Sequence, residues 1–110
     1  MEKNHYFDFV YEVTLSIPVG RVTTYGAIAD YLALGSARMV GWALNKCHNS
    51  PVKIPAHRVV NSKGELTGRL MFKTPSKMAE LLTKEGVHIK NDKVVSFKEL
   101  FWHPRSLNDE

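Results

Sequence analysis

Tyr25-Gly26-Ala27-Ile28-Ala29-Asp30-Tyr31-Leu32, then Ala33-Leu34-Gly35, then Ser36-Ala37-Arg38-Met39-Val40-Gly41-Trp42-Ala43-Leu44-Asn45-Lys46 is the stretch that decides the fold. The first run puts Ile28, Ala29 and Leu32 on one side of a helix. Leu34-Gly35 breaks it, and Ser36 is a residue type whose hydroxyl caps the next helix, which runs to about Lys46. Two helices joined by a short glycine-containing turn give a helix-turn-helix outline, whose second helix is the reading element where such pairs bind DNA. The outline alone is weak evidence, because many such pairs never meet nucleic acid.

Working outward, Phe9, Val10, Val13 and Ile17 recur at helical spacing and predict a helix from about Tyr6 to Ser16, ended by Pro18 and Gly20. Val22 to Thr24 is a short extended lead-in to the second helix. Residues 48–57 form a structured loop. Val59-Val60, Asn61-Ser62-Lys63-Gly64 and Glu65-Leu66 read as a hairpin-like turn, a wing beside the helix pair. Thr74 and Pro75 predict an N-cap and first helical residue, with Met78, Leu81 and Leu82 turned inward and Gly86 at the stop. Val87 to Ile89 and Val94 to Phe97 flank Lys90-Asn91-Asp92-Lys93 as a second hairpin. Phe101 and Trp102 pack the tail onto the body before the last residues fray. The fold class is mainly α with short β-hairpins, a winged helix-turn-helix in one domain over residues 1–110.

The 15 basic and 11 acidic residues give +4, with five histidines besides, a modest excess that permits a DNA partner without requiring one. Cys47 is the only cysteine, so no intramolecular disulfide can form, and the adjacent His48 lacks metal-ligand spacing. No apolar run approaches the ~20 residues that span a bilayer, and no basic start leads into a hydrophobic segment. The expectation is a cytoplasmic monomer (nucleoid-associated if bacterial) with no cofactor, no metal and no membrane contact.

Ile54-Pro55-Ala56-His57-Arg58-Val59 resembles the Pro-Cys-His-Arg-Val signature of the O6-alkylguanine-DNA alkyltransferases. Ile17-Pro18-Val19-Gly20-Arg21-Val22-Thr23-Thr24-Tyr25-Gly26 resembles the entry to their DNA-binding domain. Ser36 to Gly41 resembles their recognition helix, and Leu81 to Gly86 their final helix. The motifs come in family order over nearly the whole chain. Three departures are informative. Ala56 stands where the family has its nucleophilic cysteine, and a methyl group has no lone pair with which to take an alkyl group. Arg69 stands where active enzymes tend to have tyrosine. The chain also starts almost directly on its first helix, without the family's preceding domain. Together these resemble the alkyltransferase-like proteins, which bind O6-alkylguanine in DNA and direct it to nucleotide-excision repair. Many of those carry tryptophan at the position of Ala56.

The resemblance implies a role for each matching residue. Arg38 enters the minor groove and replaces the flipped nucleotide; without the motif it is an exposed arginine on a surface helix. Tyr25 sits at the flipped nucleotide, or otherwise is a half-buried core tyrosine. Ala37 and Gly41 keep the helix face low, or serve ordinary helix packing. Leu44, Ala56 and Val59 line the lesion pocket with Tyr25, and Arg69 senses the modified guanine, or is a solvated loop arginine. His57 and Glu85 are a vestigial relay with nothing to activate, and Arg58 ties loops together. Arg21, Lys46 and Lys63 are candidate phosphate contacts. The orientation of Trp42 is open.

The implied function is therefore non-enzymatic: double-stranded DNA containing O6-alkylguanine is the partner, and nucleotide-excision repair proteins receive the lesion. Two alternatives stay open. One is a winged-helix DNA-binding protein without lesion specificity, against which the third helix's Ala, Met, Val, Gly, Trp and Leu speak, since major-groove readers want Arg, Asn or Gln. The other is an alkyltransferase, either an engineered Cys-to-Ala variant or one acting through Cys47. Cys47 is disfavoured by its place at a helix C-terminus, at least eight residues from the pocket loop.

Overall fold

A computed structural model describes residues 5–108. Helix α1 spans Tyr6–Leu15, and His5 caps it by accepting from the Phe7 amide. Val10, Val13 and Ile17 are buried as the spacing predicts. Phe9, expected beside them, is instead 40% exposed. The core stripe runs through Thr14, whose hydroxyl donates to the Val10 carbonyl and so can be buried without an unmet polar group.

Strand β1 (Thr23–Thr24) leads into α2 (Tyr25–Tyr31), which the Thr24 hydroxyl caps by accepting from the Ala27 amide. Helix α3 covers Ala37–Asn45. The break between α2 and α3 falls at Ala33, not at Leu34-Gly35. Ala33 takes φ 56°, its amide bonds to the Asp30 carbonyl, and the Leu34 amide to that of Ala29. This is a Schellman closure with alanine in the position that favours glycine. Ser36 occupies the N-cap of α3 in extended conformation but makes no side-chain capping bond. Helix α1 joins the pair through the Tyr11 hydroxyl, which donates to the Ala43 carbonyl at 2.7 Å.

Strand β2 (Val59–Val60) does not fold back on Glu65-Leu66 as the wing reading expects. It pairs in parallel with β1, Thr23 beside Val59 and Thr24 beside Val60. The Asn61–Glu65 turn does close, with the Asn61 side chain accepting from the Lys63 and Glu65 amides. Its far limb then leans on the next hairpin, where Glu65 bridges to Lys93 and the Leu66 amide bonds to the Asp92 carbonyl. That hairpin is β3 (Ile89–Lys90) against β4 (Lys93–Val94), with a loop two residues shorter than expected because Lys90 and Lys93 pair. Asn91 and Asp92 both take positive φ, the requirement of a two-residue type I′ loop.

Helix α4 spans Lys77–Lys84 rather than starting at Pro75. The Thr74 hydroxyl lies 3.4 Å from that of Ser76 instead of capping an amide, and Ser76 donates to Glu80. Met78 and Leu82 are fully buried, while Leu81 is only partly so. Gly86, φ 90°, ends the helix: its amide bonds to Thr83 and that of Val87 to Leu82. Phe97, expected in a strand, begins a short helix α5 (Phe97–Leu100). Beyond it the chain returns to Val22, whose amide bonds to the Leu100 carbonyl and whose carbonyl accepts from Trp102 at 2.7 Å. Trp102 is buried in the same core cluster as Val10, Ile28 and Leu44, whereas Met78, Leu82 and Val94 form a second cluster. The expected fraying of the last residues concerns positions 109–110, outside the described residues. No helix is long and apolar enough to cross a membrane among the described residues.

Candidate nucleic-acid interface and lesion pocket

Three separated motifs meet at Glu85. Its carboxylate accepts from Arg58 Nη2 at 2.8 Å and Nε at 3.0 Å, and from His57 Nε2 at 2.8 Å. Arg58 Nη1 also donates to the Ile17 carbonyl at 2.9 Å, and Gly20 lies against the Glu85 backbone. The turn after α1, the 3₁₀ turn Ala56–Arg58 and the end of α4 are thus pinned to one carboxylate. Burial pushes that carboxyl up, but bonds from Arg58 and His57 outweigh it and hold it at about 2. Burial pushes the His57 proton affinity down, against the pull of Glu85. A neutral ring that meets a carboxylate at Nε2 carries its proton there. His57 is thereby occupied with Glu85 and Arg58 with loop closure.

Ala56 is buried, and it forms part of the wall of a cavity of about 410 Å³. Leu44, Ile54, Met71 and Phe72 make the wall mostly apolar, and Cys47 and Lys53 join it. One water occupies roughly 30 Å³ of liquid, so this space holds a group far larger than a methyl. The cavity lies between the C-terminal end of α3 and the Thr67–Met71 turn.

The site set expected from the sequence is brought together only in part. Leu44 and Ala56 line the cavity. Val59 does not: pairing of β2 with β1 leaves it completely buried. Tyr25 and Arg69 are also off the wall. Tyr25 is held over the Thr67–Met71 turn, where a methyl on Gly68 would come within 2.7 Å of its hydroxyl oxygen and 2.8 Å of the Met71 terminal carbon. Burial pushes the Tyr25 hydroxyl up, against a smaller pull from the Thr67 side chain. Arg69 donates to the Leu66 carbonyl at 3.1 Å and faces Asp92 at 3.6 Å, which ties it to the β3–β4 turn. Arg21 is taken out of the phosphate-binding set: its guanidinium donates to the Leu100 and Phe101 carbonyls at 3.0 and 2.9 Å.

Cys47 is closer to the chemistry than chain distance suggests, since it shares the cavity wall with Ala56. It follows Leu44 by three positions and Val40 by seven, a spacing legible in the sequence, although α3 ends at Asn45 and Cys47 opens the 3₁₀ turn Cys47–Asn49. Burial pushes its thiol up, away from the reactive thiolate. Lys53, Met71 and Phe72 had no comparable signal, because they sit on irregular loops.

The outer face of α3 is arranged differently. Ala37 and Arg38 are exposed, and the Arg38 side chain makes no hydrogen bond or ion pair among the described residues. None of the described residues lies within 4 Å of the position a Gly41 side chain would occupy. A glycine inside a helix costs about 1 kcal/mol against alanine, and no contact within the protein requires this one. Trp42 is 56% exposed, one turn beyond Arg38. Lys46 ends this face, and Lys63 stands exposed on the Asn61–Glu65 turn.

Residues 5–87 match the family described as 6-O-methylguanine DNA methyltransferase, DNA binding domain. The chain is 34% identical to alkyltransferase-like protein 1 of Schizosaccharomyces pombe, over 94% of this chain and 100% of that one. It is 31% identical to a DNA base-flipping protein of Vibrio parahaemolyticus, over 86% and 93% of the two chains. The fold superposes on the structure of S. pombe Atl1 in complex with damaged DNA containing O6-carboxymethylguanine with a TM-score of 0.80 at 32% identity, over 94% of this chain and 100% of that one.

Proposed function

The chain belongs to the family of the 6-O-methylguanine DNA methyltransferase DNA-binding domain, and from that premise we propose that it is a reader of O6-alkylguanine in double-stranded DNA that does not repair what it reads. The observation that carries this reading is Ala56, a buried methyl group on the wall of a large apolar cavity, beside a histidine and a glutamate that satisfy each other. The cavity can hold the alkyl group, and at Ala56 there is no atom that can accept it.

A lesion inside a duplex reaches a cavity only if its nucleotide leaves the stack, at a cost of a few kcal/mol. The guanidinium of Arg38, unpaired among the described residues, fills the vacated space, since a planar cation both stacks and bonds to the orphaned base. Ala37 and Gly41 let α3 approach the minor groove closely, and Tyr25 steadies the extruded nucleotide at the Thr67–Met71 turn. Wedging of this kind bends the duplex. Lys46 and Lys63 contact phosphate, so binding weakens with salt. His57, Glu85 and Arg58 keep the loop in shape. Arg69, held beside Asp92, borders the guanine rather than the alkyl group. The protein acts as a cytoplasmic monomer without cofactor, associated with the nucleoid if the cell is bacterial. It leaves excision to nucleotide-excision repair proteins that recognise the occupied, bent site.

Cys47 supports a second reading, transfer to that thiol, because it shares the cavity wall with Ala56. Its raised thiol and the engagement of His57 by Glu85 oppose it. Binding to matched duplexes carrying guanine or O6-methylguanine, followed by intact mass of the recovered protein, separates the readings. A lesion preference at unchanged mass supports the reader. One added methyl makes Cys47 an acceptor, and equal binding to both duplexes leaves a general DNA-binding domain.

A further inference from the structure

Among the described residues, the cavity wall carries one lysine and no arginine, aspartate or glutamate. That lysine, Lys53, stands on the rim that the cavity shares with a neighbouring groove running to Lys73, Lys77 and Leu81. Its side chain has no hydrogen bond or ion pair among the described residues. The nearest carboxylate in that groove, Glu85, is already matched by Arg58 and His57. Lys53 is therefore an ammonium on a flexible stem at the mouth of a mostly apolar chamber whose other polar lining is Cys47, His48 and Ser50, with no competing anion on the wall among the described residues.

The geometry points to Lys53 as a specificity-determining residue that favours O6 adducts ending in a negative charge, carboxyalkyl groups above all, over neutral adducts of the same size. This rests on the lesion-reading function and deepens it by naming the adduct class. An adduct extending from O6 past Ala56 has mostly apolar neighbours, with Ser50 and His48 as the other polar groups, and with His48 neutral it meets a cation where Lys53 reaches over the rim. Lysine suits that task better than arginine, because a compact charge on four methylenes can swing toward a carboxylate whose position varies with adduct length. Lys53 is exposed, so the pairing is partly screened and the selectivity is modest, about 3- to 10-fold.

The test uses four duplexes of one sequence, carrying guanine, O6-methylguanine, O6-carboxymethylguanine or O6-carbamoylmethylguanine. The last two have the same number of heavy atoms and differ in charge. Dissociation constants are measured at pH 8, where histidine charge stays out of the comparison. The readout is the carboxymethyl-to-carbamoylmethyl ratio within each protein, which cancels any loss of general phosphate attraction. The expected result is a carboxylate preference of about 3- to 10-fold in the natural chain, near unity in Lys53→Met and reversed in Lys53→Glu. A preference that survives Lys53→Met overturns the assignment. So does equal binding of the two adducts while both outbind guanine, and that outcome leaves the lesion reading intact. If no modified duplex outbinds guanine, the lesion reading and this inference fall together.

Discussion

The cluster around Glu85 and the outer face of α3 both gather cationic side chains, and the molecule completes one while leaving the other open. At Glu85 every charge has its partner within the chain, and three distant segments are held by the result. On α3, among the described residues, the guanidinium of Arg38 has none, Trp42 is exposed, and Gly41 spends helix stability on space that nothing fills. A polar group matched inside a fold serves the fold. One left unmatched on a rigid helix, beside a glycine with no internal reason, is matched by something else. The contrast separates residues whose loss unfolds the protein from residues whose loss disarms it.

The largest expected effect breaks the closed region. Arg58→Ala leaves Glu85 part-buried with one partner and frees the Ile17 carbonyl; it lowers stability by about 3 kcal/mol in denaturant melts. Acid attacks the same place. Glu85 falls from its ordinary 4.5 to about 2 on folding, so its contribution is complete above pH 4.5 and is lost as pH drops toward 2. His57 acts in the same direction from a higher pH, because an unfolded chain takes up a proton near 6.5 that the folded one resists. Stability should fall below about pH 6.5 and more steeply below 4.5, with Glu85 contributing up to about 3 kcal/mol. A Glu85→Gln chain that keeps the steep lower limb would contradict this.

The open region should respond in the opposite way. Arg38→Ala is expected to leave the melting temperature unchanged while weakening lesion-duplex binding about 30-fold, roughly 2 kcal/mol. The smallest and sharpest case is Gly41→Ala. It should raise stability by about 0.5–1 kcal/mol and weaken DNA binding, two opposite signs from one methyl group. If it strengthened both, α3 would not be the docking face.

Where one segment carries its own instruction, the sequence is legible. Gly86 ends α4 because a left-handed residue with two closing amide bonds is a local device, and Ala56-His57-Arg58 announces its chemistry by residue type. Legibility fails where a distant partner decides. Val59-Val60 reads as half of a hairpin because the next residues form a turn, yet Thr23-Thr24, far back in the chain, offers the better edge. Arg21 looks like a free cation until the chain returns to present the Leu100 and Phe101 carbonyls. Phe9 fits the helical stripe as well as Thr14 does, and only the bond to Val10 explains why the threonine goes inside. The cavity is half visible in the sequence: Leu44 falls on a helical stripe and Ala56 in a motif, whereas Lys53, Met71 and Phe72 come from segments without periodicity.

The return of the tail to Val22 has a practical consequence. The domain match covers residues 5–87, and a chain cut at its end would keep all the recognised motifs. It would also lose Trp102 from the main core cluster, the carbonyls that hold Arg21 and the strand-like partner of Val22. The motifs can therefore all be synthesised before the protein can close, and the first half waits for the segment around Trp102 to leave the ribosome.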